Sequence, residues 1–204
     1  MNDLVPAQGS STPNGVTRTV LESGEIMNLY ILRHASAGER RPNPVLDRNR
    51  PLDKDGKRYC LHLAQVLNEL KLQFDLIVSS PLKRSVQTAS LVGTETGYES
   101  QILISNGLSP GATFQDFQRL LSECRGYENL LVVGHNPNIS QFLSGMLVSP
   151  DTTMLPQIRL RKGSIARVSL DRGPAILQWL LDPRPVRALY TTSTKSSRRK
   201  TSRK

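Results

Sequence analysis

Four side chains suited to binding phosphate lie where apolar segments of the sequence end. Arg33 and His34 follow the first apolar segment directly, and His135 follows a later one. Arg84 lies just beyond Ser80, close behind another apolar segment. The planar guanidinium group of arginine matches the oxygens of a phosphoryl group, and histidine changes its charge near neutral pH. Together these residue types predict a phosphate pocket.

The elements that position these residues are strand ends and helix N-termini. Ligands of open α/β sheets bind at the carboxyl ends of the strands. Ser80-Pro81 and Asn136-Pro137 each combine a good N-cap residue with a proline for the first helical position. Both helices would then begin at the same edge of the sheet, where free N–H groups and the positive end of the helix dipole attract anions.

The hydrophobic pattern alternates between strands and amphipathic helices along most of the chain. This alternation predicts an α/β domain of three layers (α/β/α), in which helices cover both faces of a mainly parallel sheet. A C-terminal hairpin would add antiparallel strands at an edge. The predicted strands are 28–32, 74–79, 102–104, 130–134, 164–170 and 175–181, and the predicted helices are 53–71, 81–95, 113–124 and 137–148.

The two ends of the chain differ in composition from the middle. Residues 1–26 are rich in Ser, Thr, Gly, Asn and Pro, and we expect a disordered leader there. Residues 191–204 contain six basic and no acidic side chains, which predicts a disordered basic tail. Residues 27–190 then form the folded domain. The net charge of +10 is densest in the tail, which weakens the case for a folded nucleic-acid-binding face.

Composition and motifs exclude several classes of protein. No apolar run approaches the length that crosses a bilayer. The N-terminus lacks a basic segment followed by an apolar one, so we expect no secretory signal. Two cysteines, Cys60 and Cys124, do not make a disulfide framework, and they favour a reduced, cytoplasmic protein. Neither cysteine is followed six positions later by arginine, as tyrosine-phosphatase chemistry requires, and there is no P-loop.

Three motifs, in order, resemble those of the histidine phosphatase superfamily. Residues 33–35 (RHA) correspond to its Arg-His-Gly motif, with alanine in place of glycine. Residues 79–89 (SSPLKRSVQTA) correspond to Ser-Ser-Pro-x-x-Arg-Ala-x-Gln-Thr-Ala, and residues 134–137 (GHNP) correspond to Gly-His-Asn-Pro. Residues 47–52 (DRNRPL) are similar to the Asp-x-x-Arg-Pro-Leu stretch of the small SixA-type phosphohistidine phosphatases. The resemblance spans about residues 27–182.

The resemblance implies a phosphatase that needs neither metal nor cofactor. His34 would be the nucleophile that forms a phosphohistidine intermediate. Arg33, Arg84 and His135 would hold the phosphoryl oxygens during transfer. Phosphoglycerate-mutase-like members also carry a carboxylic general acid after the second motif, but residues 105–111 contain no carboxylate.

The missing acid favours phosphoramidates over sugar phosphates as substrates. An alkoxide leaving group benefits from a proton donor, whereas the imidazole of phosphohistidine can be protonated on its own ring. We therefore expect dephosphorylation of phosphohistidine on a protein, such as a histidine phosphotransfer domain. Asp47 is a further candidate in the substrate pocket, either as an acid or as a hydrogen-bond partner.

Other functions remain open on the sequence alone. The first is a small-molecule phosphomonoester phosphatase. The others are a nucleic-acid-binding protein that uses the basic tail and an inactive binding module. We expect a monomer with no membrane partner and only nonspecific nucleic-acid contact through the tail. His62, in the middle of a predicted helix, is expected to be structural or to face solvent.

Overall fold

A computed structural model describes residues 26–148, 155–171 and 175–190. Of the predicted leader, residues 1–25 lie outside the described residues, as do the predicted basic tail and residues 172–174 of the predicted hairpin turn. The described strands are β1 (Met27–Arg33), β2 (Leu76–Ser79), β3 (Leu103–Ile104), β4 (Asn129–Gly134), β5 (Ile165–Leu170) and β6 (Ile176–Leu181). The described helices are α1 (Pro44–Arg48), α2 (Lys54–Glu69), α3 (Lys83–Glu95), α4 (Phe114–Glu123) and α5 (Asn138–Met146), with a 3₁₀ turn at Asn106–Leu108 and further helical residues at 183–190.

The described strands form one mixed sheet in the order β3-β2-β4-β1-β5-β6. Strands β3, β2, β4 and β1 are parallel to one another. The hairpin of β5 and β6 is antiparallel and adds to the β1 side. The predicted fold class, a mainly parallel sheet with antiparallel strands at one edge, is therefore confirmed.

Strict alternation of side chains in the central strands separates the core into two layers. Leu29 and Ile31 of β1 belong to one buried cluster, whereas Tyr30 and Leu32 belong to the other. Helices α4 and α5 close the first cluster, and α2 and α3 close the second. Because both faces of β1 and β4 are covered, these strands contain almost only apolar residues. The result is the predicted three-layer arrangement, with the carboxyl ends of the parallel strands left accessible.

The predicted N-caps of the helices behind β2 and β4 are wrong. Helix α3 follows Leu82 and helix α5 follows Pro137, and neither of these residues makes a side-chain cap bond. The Oγ atom of Ser80 accepts from the backbone N–H of Leu82 at 3.4 Å and lies 2.8 Å from Nε2 of His135. The side-chain amide of Asn136 donates to the carbonyl oxygen of Leu160 at 2.9 Å. The side-chain oxygen of Asn136 accepts from the Ser140 hydroxyl at 2.9 Å instead of from a backbone N–H of the helix.

Residues remote from the strand ends agree with the structural roles expected for them. His62 stacks on Tyr190, with ring centroids 4.2 Å apart and an interplanar angle of 8°. Cys60 and Cys124 are free, buried thiols, and burial raises the pKa of Cys60 to about 12 and that of Cys124 to about 11. Across the ranges that the structure describes, no helix combines the length and the apolar character needed to cross a membrane.

Candidate active site

The carboxyl ends of β1, β2 and β4 surround a cavity of about 670 Å³. Arg33, His34, Arg84 and His135 all line this cavity, and we call these four residues the floor. Asp47 of helix α1 lines it as well. The structure therefore brings all five predicted site residues together, although they lie on four separate segments of the chain.

His34 is buried, and its tautomer is set by the neighbouring backbone. Its Nδ1 atom lies 2.7 Å from the carbonyl oxygen of Ala35. Because a carbonyl oxygen only accepts hydrogen bonds, Nδ1 carries the proton and Nε2 keeps its lone pair. Burial, the charge of His135 and then the charges of the floor arginines lower the pKa of His34 well below its ordinary value, against the opposing bond to Ala35. The ring is neutral at pH 7, which is the form able to attack phosphorus.

Hydrogen bonds join the first sequence motif to the other two. The backbone N–H of Ala35 donates to Oγ1 of Thr88 at 3.1 Å, and that hydroxyl donates to the carbonyl oxygen of Arg84 at 2.7 Å. The backbone N–H of His34 donates to the carbonyl oxygen of Gly134 at 3.1 Å. The positions of the floor residues are therefore coupled through short bonds that involve side chains and backbone of all three motifs.

His135 stands beside His34, with ring centroids 4.9 Å apart. Its Nε2 atom lies 2.8 Å from Oγ of Ser80 and 3.2 Å from Oγ of Ser85. Ser85 occupies the alanine position of the second superfamily motif, so its hydroxyl is an addition in this chain. Burial, followed by the charges of Arg84 and Arg33, lowers the pKa of His135 to about 3. This ring is also neutral at pH 7.

Both floor arginines are anchored by one end of the guanidinium group. Arg33 donates through Nη1 to the carbonyl oxygen of Leu160 at 2.7 Å, and Arg84 donates through Nη1 to the carbonyl oxygen of Asp47 at 2.8 Å. Burial lowers the pKa of both arginines, but each stays protonated at neutral pH. Within the described part of the chain, Nε of each arginine and Nδ1 of His135 are buried with no hydrogen-bond partner. No described residue therefore satisfies these three nitrogen atoms.

Asp47 is an ion-pair partner of arginines. Arg50 donates through Nε to its Oδ1 atom at 2.8 Å, and Nη1 of Arg84 lies 3.4 Å from Oδ2. Burial alone would raise the pKa of Asp47, but hydrogen bonds from the Arg50 side chain and the Arg41 backbone, with the charges of Arg50 and Arg84, lower it to about 2. An ionised carboxylate has no proton to donate at pH 7. Of the two expected roles, hydrogen-bond partner fits the geometry, and the partners are arginines.

The segment in which the sequence lacks a general acid does lie at the cavity. Asn106 and Ser109 line one wall, so an amide and a hydroxyl stand in this segment. Among the residues described, no group of three His, Cys, Asp or Glu side chains comes together as a metal site would require. The cavity therefore presents fixed cationic and neutral donors to an anion.

Some residues of the site were not singled out by sequence reasoning. Ser80 was predicted only as a cap, whereas Thr88 and Ser85 were part of a motif with no role assigned to them. The sequence signal available for these three residues was their place in the second motif, residues 79–89. Arg50 likewise belonged to the Asp-x-x-Arg-Pro-Leu stretch with no role assigned to it, whereas Lys162 had no such signal, because a lysine in a loop is ordinarily solvated. Lys162 reaches the cavity from a segment that was not predicted to form any element.

Comparison with known proteins identifies the family. The profile of the histidine phosphatase superfamily (branch 1) matches residues 29–109. An uncharacterized protein from Picosynechococcus sp. is 34% identical over 119 residues, which cover 57% of this chain and 70% of that protein. The chain belongs to the histidine phosphatase superfamily. The profile match contains the first two motifs, and the geometry adds the third through His135.

Solved structures of SixA proteins share the fold of this chain. The protein histidine phosphatase SixA complexed with tungstate is similar with a TM-score of 0.67 and 24% identity, over 77% of this chain and 97% of that chain. A putative phosphohistidine phosphatase SixA from Agrobacterium tumefaciens gives a TM-score of 0.63 and 22% identity, over 77% of this chain and 99% of that chain. At these identities the comparison shows a SixA-like fold.

Proposed function

We propose that the chain hydrolyses phosphohistidine on a protein substrate through a covalent intermediate on His34. The observation that carries this proposal is the fixed tautomer of His34, whose Nδ1–H donates to Ala35 at 2.7 Å and leaves Nε2 free to attack. Arg33 and Arg84 line the same cavity with their positive charges. The buried free thiols Cys60 and Cys124 support a cytoplasmic protein. We further propose a monomer that needs no metal.

The reaction divides into two transfers at one nitrogen atom. In the first, the lone pair of Nε2 of His34 forms a bond to phosphorus while the bond between phosphorus and the substrate imidazole breaks. The substrate ring leaves as neutral imidazole because its remote nitrogen already carries a proton. In the second, water attacks phosphorus, inorganic phosphate leaves, and the electron pair of the P–N bond returns to Nε2.

The neighbouring residues stabilise charge in both transfers. While His34 carries the phosphoryl group its ring is cationic, and the Ala35 carbonyl oxygen accepts the Nδ1–H of that cation. Arg33 and Arg84 neutralise the negative charge spread over the phosphoryl oxygens. Ser80 Oγ accepts from the N–H of Leu82 and lies 2.8 Å from Nε2 of His135, and we propose that its hydroxyl donates to Nε2. In this tautomer Nδ1 of His135 carries a hydrogen for a phosphoryl oxygen.

The choice of phosphohistidine as substrate follows from the leaving group. Release of an alkoxide requires an acid near the leaving oxygen. In this cavity Asp47 is ionised, and the segment with Asn106 and Ser109 supplies no carboxylic acid. Two relatives by fold are called phosphohistidine or protein histidine phosphatases, and one of them was solved with tungstate, an oxyanion. The lack of an acid for the leaving group and the names of these relatives both support a phosphoramidate substrate.

The experiment compares phosphate release from a histidine-phosphorylated phosphotransfer domain with release from a sugar phosphate. Wild type is expected to turn over the phosphoprotein preferentially, and His34→Ala is expected to abolish that activity. His62→Ala is the matched control, because His62 stacks on Tyr190 and does not line the cavity. An acid-labile phosphate label should be trapped on the wild type and on His62→Ala, but not on His34→Ala.

The other outcomes would redirect the assignment. A preference for the sugar phosphate would establish the phosphomonoester phosphatase and require an acid other than Asp47. Full activity in His34→Ala would contradict the nucleophile. Inactivity of the wild type on both substrates would contradict the proposed function while leaving the family membership intact.

A further inference from the structure

The mouth of the cavity has a positive charge that the chemistry of one phosphoryl group does not need. Arg40, Arg41, Arg48 and Lys162 are exposed and line the mouth, and we call these four residues the rim. We propose that the rim binds carboxylates that flank the phosphohistidine on the protein substrate. This inference rests on the proposed function, because it concerns what surrounds the phosphoryl group that the floor attacks.

The positive charges of the floor and those of the rim differ in the anionic groups available to them. Asp47 is the one acidic residue among the described residues that line the cavity, and it is already paired with Arg50 and Arg84. Arg33 and Arg84 can neutralise the phosphoryl group, which carries at most about two negative charges. Lys162 also acts on the carboxylate of Asp53, so the charges of Arg40, Arg41 and Arg48 in particular are left for other anionic groups of the substrate.

The rim has a fixed position relative to the floor. Arg50 donates through Nη1 to the carbonyl oxygen of Ala37 at 2.7 Å, and Asp53 accepts from the N–H of Gly38 at 2.8 Å. Arg84 binds the carbonyl oxygen of Asp47 on the far side of the same segment. The backbone of the segment that presents three of the rim arginines is thus held at both ends, beside the floor.

Apolar side chains beside the rim favour a protein as the partner. Val45 and Leu46 of helix α1 are 67% and 59% exposed, and they lie between Arg41 and Arg48 in the sequence. A polyphosphorylated small molecule has no apolar surface to contact them, whereas a protein surface does. Bound nucleic acid would instead use aromatic residues for base stacking, and no Phe, Tyr or Trp is found among the described residues that line the cavity.

The experiment uses two synthetic phosphohistidine peptides that differ only in flanking residues, acidic in one and lysine in the other. Turnover is measured with phosphoramidate as the reference substrate, because it has no flanking residues. Binding is measured by fluorescence anisotropy with non-hydrolysable analogues of both peptides. The test variant is Arg40→Ala/Arg48→Ala. The control is Lys71→Ala/Arg125→Ala, which removes equal charge from loops that precede β2 and β4, at the opposite end of the sheet.

Wild type is expected to prefer the acidic peptide by about 10-fold in kcat/KM and in affinity. The test variant should lose most of this preference, and its loss on the acidic peptide should exceed its loss on phosphoramidate by about 10-fold. The control should keep the wild-type preference. Added salt should weaken the preference of the wild type more than that of the test variant.

Two results would overturn the proposal. One is equal use of both peptides by the wild type. The other is a preference that the test variant retains. Rim-dependent binding of inositol hexakisphosphate or of single-stranded DNA in place of the acidic peptide would also overturn it, and would assign the rim to that ligand. If binding shows the acidic preference but no peptide is hydrolysed, the proposed function fails and the rim assignment stands.

Discussion

The floor and the rim carry the same kinds of charged group in opposite surroundings. The floor residues are largely buried, and backbone carbonyl oxygens or serine hydroxyls hold each of them in one orientation. The rim residues are exposed to solvent. A buried charge with fixed partners keeps its full electrostatic effect on a bound anion, whereas an exposed charge is screened by water and salt. The floor is therefore suited to chemistry, and the rim is suited to recognition.

This contrast predicts unequal effects from equal substitutions of arginine. Arg84→Ala should lower kcat on phosphoramidate by about 10²- to 10³-fold, because it removes a fixed donor from the phosphoryl group. Arg48→Ala, on the exposed rim, should change the same kcat by less than about threefold. Steady-state kinetics would measure both effects, and circular dichroism would verify that each variant is folded. Similar losses in the two variants would abolish the distinction between floor and rim.

The buried imidazoles should make stability depend on pH. The pKa of His135 is lowered to about 3 and that of His34 is lowered well below its usual value, so the folded chain keeps both rings neutral. The unfolded chain takes up protons below about pH 6.5, so stability should fall as the pH decreases from 7 to 5. His135 alone should contribute a loss of about 2 kcal/mol in the free energy of unfolding at pH 5.

Urea unfolding at several pH values would measure this dependence. The slope of stability against pH should decrease in His135→Asn and decrease further when His34→Asn is added. Substitution of a rim residue such as Arg40→Ala should leave the slope unchanged, because that side chain is solvated in the folded protein as well. A wild-type slope in the double histidine variant would show that the floor imidazoles are not the source.

Asp47 lies between the floor and the rim. Its replacement by asparagine distinguishes the role of an ion-pair partner from that of a general acid. Asp47→Asn should lower kcat/KM by about 10-fold on phosphoramidate and on a sugar phosphate alike, because Arg84 and Arg50 lose an anionic partner that orients them. A general acid would behave differently, since only the substrate with the poorer leaving group would be affected. Parallel kinetics on both substrates would decide between these roles.

The smallest expected effect concerns a hydroxyl group behind the floor. Ser85→Ala should lower kcat by about threefold, because Ser80 remains 2.8 Å from Nε2 of His135. Ser80→Ala should have the larger effect of the two. Nitrogen chemical shifts of the His135 ring should show a larger population of the Nε2–H tautomer in Ser80→Ala than in Ser85→Ala. An unchanged tautomer in both variants would refute the orienting role of these serines.

The sequence predicted the floor well because its signals are local. Arg33 is the last residue of β1, and His34 and His135 directly follow β1 and β4. The pattern of buried strands in the sequence therefore indicates the edge of the sheet at which these residues lie. Arg84 was placed correctly because it lies in the first turn of a helix that follows a strand. The fold class was predictable for the same reason, since alternating strands and helices leave few arrangements.

The sequence could not predict features that depend on contacts between distant segments. Ser80 has the residue type of an N-cap, yet its hydroxyl faces a histidine from another strand end. Asp47 is followed closely by Arg50, but their ion pair matters because Arg84 joins it from helix α3. Lys162 extends the rim from a segment with no periodic pattern, and three-dimensional structure alone brings it to the mouth.

The position of β1 in the sheet has a consequence for biosynthesis. Asn28 of β1 is paired with Asn129 of β4 on one side and with Ser169 of β5 on the other. The strand that ends in Arg33 is synthesised long before either neighbour, and the edge that pairs with β5 stays open until the ribosome has added residues 165–170. A nascent chain stalled before residue 165 would expose one edge of a very apolar strand, which is a template for aggregation. The β1 edge is therefore protected from intermolecular strand pairing only after β5 has been synthesised and has paired with it.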